Sequence, residues 1–562
     1  MITVSPARTR ALFLAALLVA AGTACGNDST GPAPLAVPTG FTAQQQSLTS
    51  IQLGWSAVTG ATYYVLERTS AATPGVFTPI GGNIAATQYV DVSASAGVTY
   101  GYRLAAASSS DTSAFTTVLN FATGLQQATI NANIATSRTL YADTVYVLSG
   151  YIKVTNGATL TVQPGTKIVG DTSVVGSSLW ILRGSKLVAN GTSAQPIVFT
   201  SQRSAPNRKP GDWGGIIIVG NGIINRTGAT ILTEGGAAGQ AENYAGGNDN
   251  NDSSGVLRYV RIEFAGYDVS SGAGQELNSL SMYAVGRRTV LEYVQTMAGL
   301  DDSFEWWGGA VDGRYLVSYE SGDDHFDWTE GYQGRNQFLI AFQSQRLVPR
   351  AGAGVFSSDP RGFEGDGCDP AVSGCTLSAT GASTPYSNPV FANFTMIGPG
   401  QLAGIPNDGN GAVWRRGTGG YFANGVLARW KGIAINVRDA WTDSLLVTYD
   451  SLNIVNVLLT QNGFNYDTVG AGFGQASTFA SDNHLTYAAT VAADTLLGIS
   501  LNPAGLDWTP KGTAPVNTGA STVPAAKVAA FFGGSWANTA YLGAADPAGT
   551  KWWQGWTSYA IN

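Results

Sequence analysis

Charged residues are scarce in this sequence. Lys, Arg, Asp and Glu make up 12% of its 562 residues, about half of the roughly 25% found in typical soluble domains. That shortage excludes a coiled coil and a charge-rich disordered chain. The formal net charge is −7, so the chain also lacks the basic surface that nucleic-acid binding requires. We therefore expect no nucleic-acid partner.

Histidine, cysteine and long apolar runs are rare as well. The chain has 2 His and 3 Cys, and no apolar run after residue 24 reaches the about 18 residues of a membrane-spanning helix. Glycine, by contrast, supplies 72 residues, and aromatic residues make up 10%. This balance is typical of a β protein with many turns. The length predicts two or more domains.

The N-terminal residues predict an exported, lipid-anchored protein. The apolar run ALFLAALLVAAGTA, residues 11–24, follows two arginines and has the length of a signal-peptide core. Small residues lead directly into Cys25, an arrangement that resembles a bacterial lipobox. The resemblance implies a signal peptide over residues 1–24 and lipidation of Cys25, whereas an ordinary signal peptide with a chance cysteine is the alternative. Residues 25–34 are predicted to form a flexible tether.

The predicted location is the outer membrane or the cell surface. Gly26 follows the cysteine where lipoproteins retained at the inner membrane carry aspartate, and this difference, by resemblance to sorting in Gram-negative bacteria, indicates the outer membrane. The two other cysteines, Cys368 and Cys375, lie seven positions apart in a segment rich in turn-forming residues. Because disulfides persist in exported chains, this even pair predicts a disulfide rather than a metal site.

Residues 35–123 predict a small β-sandwich. The runs TSIQLGW, YYVLER and VTYGYRLA alternate apolar and polar residues as half-buried strands do. With Trp55, Tyr64, Tyr100 and Tyr102, the segment resembles a fibronectin type III domain, and Tyr100 occupies the place of that family's tyrosine corner. The resemblance implies a spacer between membrane and main domain, with ligand binding as the alternative.

Residues 128–562 contain short apolar β runs between glycine turns, at periods of about 20–30 residues. Gly157 and Gly184 correspond at a spacing of 27, and Gly165 and Gly191 at a spacing of 26. Because one turn cannot bury its apolar side alone, stacked turns must form the core. We predict a right-handed parallel β-helix of ten or more rungs, of the pectate-lyase kind, with a C-terminal cap. A β-propeller is the alternative, but its blades need roughly 40–50 residues each.

The sharpest repeat places acids at matching positions. YVQTMAGLDDSFEWWGGAVDG starts at residue 293 and YLVSYESGDDHFDWTEGYQG at residue 315. Both contain Asp-Asp-x-Phe-acid-Trp, with a spacing of 22 between matching residues. A period of 22 is close to one coil of a β-helix, so we predict that these residues stack on adjacent rungs, about 4.8 Å apart. The six repeated acids are Asp301, Asp302, Glu305, Asp323, Asp324 and Asp327.

Stacked carboxylates need compensation, because two at this spacing repel by roughly 3.5 kcal/mol at an effective dielectric near 20. A hard cation such as Ca²⁺, which takes roughly six to eight oxygen ligands, would supply it. Backbone N–H caps with solvated carboxylates would also do so, and a catalytic acid–base cluster is the third interpretation. We take the six acids as candidate Ca²⁺ ligands and assign no catalytic residue. His325, inside the second copy, is interpreted as a loop histidine.

Weaker signals lie around this repeat. The segment GGNDNNDSSG, residues 246–255, predicts either a second Ca²⁺ loop or a polar excursion between rungs. The segment GFEGD, residues 362–366, echoes the Phe-acid theme and is expected to edge the same patch. Trp307 and Trp328 beside the acids suggest a sugar-binding platform, although tryptophans packed under loops are the alternative.

A family resemblance extends over roughly residues 145–562. The motifs that carry it occur in the order WGGII, GGND, GVLRYVRIEF, DDSFEW, RGT and GWT. Together they resemble a largely uncharacterised family of surface lipoproteins from Bacteroidetes and similar bacteria. The resemblance implies an exported β-helix protein, and some relatives are linked to TonB-dependent uptake. The partners expected are the membrane, through the lipid anchor, and a surface polysaccharide or an outer-membrane receptor.

An enzyme is the alternative function. Residues 322–324, Gly-Asp-Asp, resemble the motif of polygalacturonases, in which paired carboxylates do acid–base work. That family's Gly-His-Gly and Arg-Ile-Lys elements are missing, however, and a calcium-dependent lyase would need a basic residue such as Arg314 or Arg361 beside the acids. We therefore predict a non-catalytic binding, adhesion or uptake-accessory lipoprotein, with polysaccharide cleavage by a lyase or hydrolase as the alternative.

Overall fold

A computed structural model describes residues 33–235, 239–272, 274–400, 409–467, 486–487, 506–529, 531 and 536–562. The predicted signal peptide, Cys25 and residues 26–32 of the tether lie outside the described residues. The chain divides into two compact units, residues 1–124 and residues 125–562, and each is described by itself. Within the described part, none of the helices is long and apolar enough to cross a membrane.

The first unit is an antiparallel β-sandwich. Its strands are β1 (Thr42–Ser47), β2 (Ser50–Gly54), β3 (Tyr63–Ser70), β4 (Thr78–Ile84), β5 (Gln88–Asp91), β6 (Thr99–Ala107) and β7 (Leu119–Ala122). They form the sheets β1-β2-β5 and β4-β3-β6-β7. Trp55 packs edge-on against Tyr64 in the core, at 5.3 Å between ring centroids. The Tyr100 hydroxyl accepts a hydrogen bond from the Ser95 N–H at 2.9 Å, so the predicted fibronectin type III-like fold and its tyrosine corner are confirmed.

The second unit is almost entirely β. Its first strands are β8 (Gln126–Ile130), β9 (Arg138–Leu140), β10 (Thr144–Leu148), β11 (Tyr151–Val154), β12 (Thr159–Val162), β13 (Lys167–Gly170), β14 (Ser178–Ile181), β15 (Lys186–Asn190), β16 (Ile197–Ser201), β17 (Ile216–Val219), β18 (Gly255–Glu263), β19 (Tyr267–Asp268), β20 (Glu276–Leu277), β21 (Leu280–Tyr283) and β22 (Val290–Met297). The chain continues through β23 (Phe304–Trp307), β24 (Gly313–Tyr319), β25 (Phe326–Thr329), β26 (Arg335–Phe342), β27 (Arg361–Asp366), β28 (Leu377–Ser378), β29 (Gly381–Ala382), β30 (Val390–Ile397), β31 (Asn410–Arg415), β32 (Gly420–Ala428) and β33 (Ile433–Val437). The last elements are α1 (Ala440–Val447), β34 (Leu452–Thr460), β35 (Phe464–Tyr466), β36 (Thr486–Tyr487), a 3₁₀ turn (Pro515–Asn517) and α2 (Ala525–Val528).

The strands of this unit stack in parallel into a β-helix. One sheet has fifteen strands and runs from β8 to β36, and a second runs β11-β14-β17-β21-β23-β25-β27-β31-β33-β35. Ten strands in the second sheet confirm at least ten rungs, and the parallel pairing excludes a propeller of antiparallel blades. Their inward side chains form one continuous apolar core.

One of the two glycine correspondences predicted for the first rungs is correct. Leu160 pairs with Leu187 at the predicted spacing of 27. Ile168, by contrast, pairs with Phe199, at a spacing of 31. The predicted correspondence of Gly165 with Gly191 is therefore wrong, because the next rung has a longer turn there.

A corner interrupts each long strand of the fifteen-stranded sheet. One residue with left-handed φ, between 51° and 62°, separates two paired segments in seven consecutive rungs. These residues are Tyr259, Tyr293, Tyr315, Phe338, Asn393, Asn424 and Asn456. The first four, which we call the aromatic corner, stack ring on ring with centroid distances of 4.4, 4.4 and 5.0 Å.

The C-terminal segment, by which we mean the described residues 506–529, 531 and 536–562, packs along the outside of this sheet. Its Trp508, Trp553 and Trp556 are buried in an apolar cluster with outward residues of the long strands. Amide side chains also bind its backbone: Gln295 exchanges two hydrogen bonds with Ser558, at 2.6 and 2.8 Å.

Candidate cation site

The acidic repeat lies on adjacent strands of the ten-stranded sheet. β23 and β25 pair in the predicted register of 22, with Phe304 opposite Phe326, Glu305 opposite Asp327 and Trp306 opposite Trp328. Alternate side chains of a strand point to opposite faces. Because Phe304 and Trp306 lie in the core, Glu305 and Asp327 face outward, one above the other.

A third rung extends this column of carboxylates. β25 pairs with β27, which places Glu364 opposite Asp327. Glu364 belongs to the GFEGD segment, so the expectation that this segment edges the patch is met. The insertion between these rungs raises the spacing from 22 to 37 residues.

The turn before each strand carries a second ladder. The Asp302 carboxylate accepts a hydrogen bond from the Asp324 N–H at 2.8 Å, and Asp324 accepts from the Arg361 N–H at 2.6 Å. One rung earlier, Asn278 accepts from the Asp302 N–H at 3.1 Å. Each of these side chains therefore caps the backbone of the next rung, as the second interpretation of the repeat expected.

The same carboxylates are not solvated, however. Asp302, Glu305 and Asp324 expose only 7%, 4% and 1% of their surface, while Asp301, Asp323 and Asp327 are partly exposed. The expectation of carboxylates splayed into water is therefore wrong for the three central acids. The insertion between β26 and β27 also reaches this region, where Phe356 lies close to Gly322.

The two ends of the patch differ in charge. At one end, Arg361 contacts Asp324 at 3.1 Å and Glu364 at 2.5 Å, and Arg415 contacts Glu364 at 2.8 Å. At the other end, no ion pair among the described residues reaches the acids. Those acids are Asp301, Asp302, Glu305, Asp323 and Asp327.

Burial and mutual repulsion raise the pKa of these carboxyls. Desolvation raises the pKa of Asp323 to about 7, although the Arg361 charge opposes the shift. Desolvation, together with the Asp323 charge, raises the pKa of Asp324 to about 7. The pKa values of Asp302 and Glu305 are raised well above their usual range, first by desolvation and then by neighbouring acids. The apo patch therefore resists full ionisation.

Oxygen atoms converge in three groups that could hold an ion. Within each group, one oxygen from each residue lies within 4.8 Å of the others. The groups are Asp301, Asp302 and Asp323; Asp302, Glu305 and Asp327; and Asp324, Asp327 and Glu364. One buried oxygen of Asp323 and one of Asp327 have no hydrogen-bond partner. Converging carboxylate oxygens without donors are the environment that a hard cation stabilises.

Comparison with known proteins places the second unit in a family. Residues 132–502 match the pectate-lyase-like β-helix domain. The chain belongs to this family. A pectate-lyase-like β-helix domain fits a polysaccharide-related or binding module. No curated protein matches the chain.

The first unit is similar to solved fibronectin type III structures. The crystal structure of FN3tt is 20% identical over 16% of this chain and 98% of its own, with a TM-score of 0.15. An Fn3-like protein from Clostridium thermocellum is 29% identical over 16% and 92%, with a TM-score of 0.15. The fibronectin type III domain of human fibronectin type III domain containing protein 3 is 21% identical over 17% and 92%, with a TM-score of 0.16.

His325, which directly follows the Gly-Asp-Asp segment, is held by packing and one side-chain hydrogen bond in this pectate-lyase-like β-helix. His325 is buried and forms a 2.5 Å hydrogen bond between its Nδ1 and the Ser318 hydroxyl. Burial lowers the pKa of His325 to about 3, so it is neutral near pH 7. His325 lies in the turn directly before β25, as interpreted from the sequence, but it is buried there and its ring packs edge-on against Trp430 at 6.1 Å.

The tryptophans of the repeat do not form a sugar platform. Trp328 is fully buried, packs at a tilt against Phe391 at 4.9 Å between ring centroids and donates a hydrogen bond to the Thr418 hydroxyl at 3.0 Å. Trp307 faces outward but is covered by Tyr283 and Tyr244. Both tryptophans are therefore packed against other side chains, which was the alternative to a sugar-binding platform.

The acidic segment 246–255 is a capping loop of this β-helix. The Asp252 carboxylate accepts from the Asn221 N–H at 3.0 Å, and the Asn250 side chain accepts from the Ile223 N–H at 2.8 Å. Among the described residues, all three groups of acids that could hold an ion fall in the rung patch and none in this segment. The polar-excursion interpretation is favoured.

The predicted disulfide is present. Cys368 and Cys375 are bonded with a Cα–Cα distance of 5.4 Å. The loop that they close follows β27 directly, so it fixes the chain that leaves the acidic patch.

Three polar residues of the patch escaped the sequence analysis. Glu234 and Glu276 add negative charge near Asp301, and Asn278 donates a hydrogen bond to Glu305. Of the three, only Asn278 could have been found from the repeat. Leu280 pairs with Phe304 on the next rung, so Asn278, two residues before Leu280, corresponds to Asp302, two residues before Phe304. Glu234 lies in a turn and Glu276 in the short antiparallel pair β19–β20, and neither segment follows the repeat.

Proposed function

We propose that this protein is a non-catalytic binding module of the cell surface, anchored by a lipid on Cys25, and that its acidic patch holds a Ca²⁺ ion that stabilises the β-helix. Membership of the pectate-lyase-like β-helix family supports a polysaccharide-related or binding role. The lipobox-like sequence before Cys25 supports the anchor.

The uncompensated end of the patch carries the cation proposal. Asp302, Glu305 and Asp327 bring three oxygens together without an arginine partner among the described residues. Asp327, a member of this group, also has one buried carboxylate oxygen without a hydrogen-bond partner. Ca²⁺ takes carboxylate and carbonyl oxygens in flexible geometry, whereas Mg²⁺ demands near-ideal octahedral geometry and retains water. An irregular, buried set of carboxylates therefore favours Ca²⁺.

Burial also argues against catalysis at these acids. A general acid or base must come within hydrogen-bond reach of its substrate, but Asp302, Glu305 and Asp324 are covered. Arg361, the expected basic residue of a lyase, is fixed between Asp324, Asp359 and Glu364. A cation that has lost its water ligands can occupy this covered position, whereas a polysaccharide chain cannot reach it.

Thermal melting with and without Ca²⁺ tests the proposal. The wild-type protein should melt at a higher temperature in 1 mM Ca²⁺ than in EDTA, because an ion that binds only the folded state stabilises it. Asp302→Asn combined with Asp327→Asn should abolish this difference. Asp249→Asn, in the capping loop, is the matched control and should retain it. Equal melting of the wild type in Ca²⁺ and EDTA would remove the cation from the proposal.

Two further measurements test the other parts. The full-length protein should fractionate with membranes and incorporate labelled fatty acid, whereas Cys25→Ser should do neither. Incubation with acidic polysaccharides should release no unsaturated or reducing sugar. Release of either product would support the enzyme alternative and overturn the non-catalytic assignment.

A further inference from the structure

A groove of about 500 Å³ lies between the aromatic corner and the C-terminal segment. Its lining includes all four residues of the aromatic corner and, from the C-terminal segment, Tyr541, Asp546, Lys551 and Trp552. Ser193, Thr550 and Gln554 complete the rim. This volume falls within the roughly 300–1,000 Å³ of small-molecule sites.

The groove lies beside the rungs whose corner residue is aromatic, and it ends at the rungs whose corner residue is asparagine. At the later rungs, Asn393 donates to Thr539 at 2.8 Å, and Asn424 donates to the Ser521 carbonyl at 2.8 Å. The C-terminal segment is thus bound closely to the asparagine rungs. Aromatic residues at the same corner position present no amide, and the nearest ring contact there is Trp552 at 5.1 Å from Tyr315.

The walls are aromatic and carry hydroxyl groups. Tyr259, Tyr293 and Tyr315 are partly exposed, and because their ring faces stack on one another, their ring edges line the groove. Tyr541 and Trp552 face them across the groove. Aromatic surface with a few hydrogen-bonding groups suits a ligand that has both C–H patches and hydroxyls.

The charges of the groove disfavour an anionic ligand. Lys551 is paired with Asp507. The Asp546 carboxylate accepts a hydrogen bond from the Ala548 N–H at 2.9 Å, so its negative charge stays in the groove without a basic partner among the described residues. An anionic ligand would meet this carboxylate and no free cation. The ladder also extends over four rungs, which favours an elongated ligand.

We propose that this groove binds a neutral oligosaccharide along the aromatic corner. The proposal rests on the proposed function as a binding module and names its ligand class. The site is separate from the acidic patch, which lies on the other long sheet.

Titration calorimetry with neutral hexasaccharides tests this proposal. We expect the wild-type protein to bind at least one of four hexasaccharides: cellohexaose, xylohexaose, mannohexaose and maltohexaose. The combined substitutions Tyr293→Asn and Tyr315→Asn should weaken that binding at least tenfold. Asparagine is the natural residue at this corner from Asn393 onward, two rungs after Tyr315, so the backbone geometry is retained. Tyr141→Ser, at a tyrosine 51% exposed elsewhere on the β-helix unit, is the control and should leave affinity unchanged.

The outcomes separate this proposal from the cation site. Absence of binding by all four sugars, or equal binding by the double corner variant, would overturn the oligosaccharide site. Tighter binding of hexagalacturonate than of any neutral sugar would show that the ligand is anionic, and would overturn the proposal of a neutral oligosaccharide. The corner variant should keep its Ca²⁺-dependent melting shift, and the Asp302→Asn, Asp327→Asn variant should keep sugar binding. Failure of one site therefore leaves the other measurable.

Discussion

At the scale of single residues, Asp302 has two tasks. One oxygen accepts the N–H of Asp324 on the next rung, and the carboxylate also belongs to two of the three oxygen groups. The first task needs only an acceptor, which asparagine also supplies. The second needs negative charge. Substitution can therefore separate capping from cation binding.

Asp302→Asn and Asp302→Ala should have different effects in EDTA at pH 8. The asparagine variant should be at least as stable as the wild type, because it keeps the cap and removes a repelling charge. The alanine variant should lose about 1–3 kcal/mol, because it leaves the buried Asp324 N–H unpaired. Urea unfolding measures both. If the two variants unfold at the same urea concentration, the capping role is wrong.

At the scale of secondary-structure elements, the corner of the long strands determines which residues fit. Left-handed φ is tolerated by asparagine but is a true outlier for β-branched residues. Tyr259, Tyr293 and Tyr315 occupy it nonetheless, and their stacking at 4.4 Å offsets part of the conformational cost. Aromatic residues are therefore stable at this corner position because the same position on the neighbouring rungs is also aromatic and the rings stack.

Tyr293→Asn and Tyr293→Val test this balance. Asparagine loses the stacking but fits the conformation, so we expect a change of about 1 kcal/mol or less in the free energy of unfolding. Valine loses the stacking and adds strain of roughly 1–3 kcal/mol, so it should be clearly less stable. Chemical denaturation gives both values. Equal destabilisation by the two substitutions would show that strain at this corner is unimportant.

At the scale of the whole molecule, regular repetition decided what the sequence could predict. The register of Glu305 with Asp327 was predictable because two rungs of 22 residues repeat the same residue types. The pairing of Asp324 with Arg361 was not, because that rung contains a longer insertion and the spacing rises to 37. Burial of the acids depends on loops from several rungs, which no local pattern of the repeat encodes.

The patch as a whole should make the dependence of stability on pH different with and without Ca²⁺. Asp323, Asp324 and Glu364 have pKa values raised to about 7, 7 and 8 in the folded protein, against roughly 4 in the unfolded chain. Between about pH 4 and 8 the unfolded state has therefore lost protons that the folded state still holds. Raising the pH across this window favours unfolding, and the loss levels off above the folded pKa values.

In EDTA, the melting temperature should accordingly fall by several degrees from pH 5 to pH 8. With saturating Ca²⁺ it should fall less or rise, because the ion requires ionised carboxylates and binds better as they lose protons. Calorimetric melting at four pH values in each condition measures the two slopes. Asp302→Asn combined with Asp327→Asn should make the two curves coincide, since the ion no longer binds. Parallel curves for the wild type would mean that Ca²⁺ does not act through these acids.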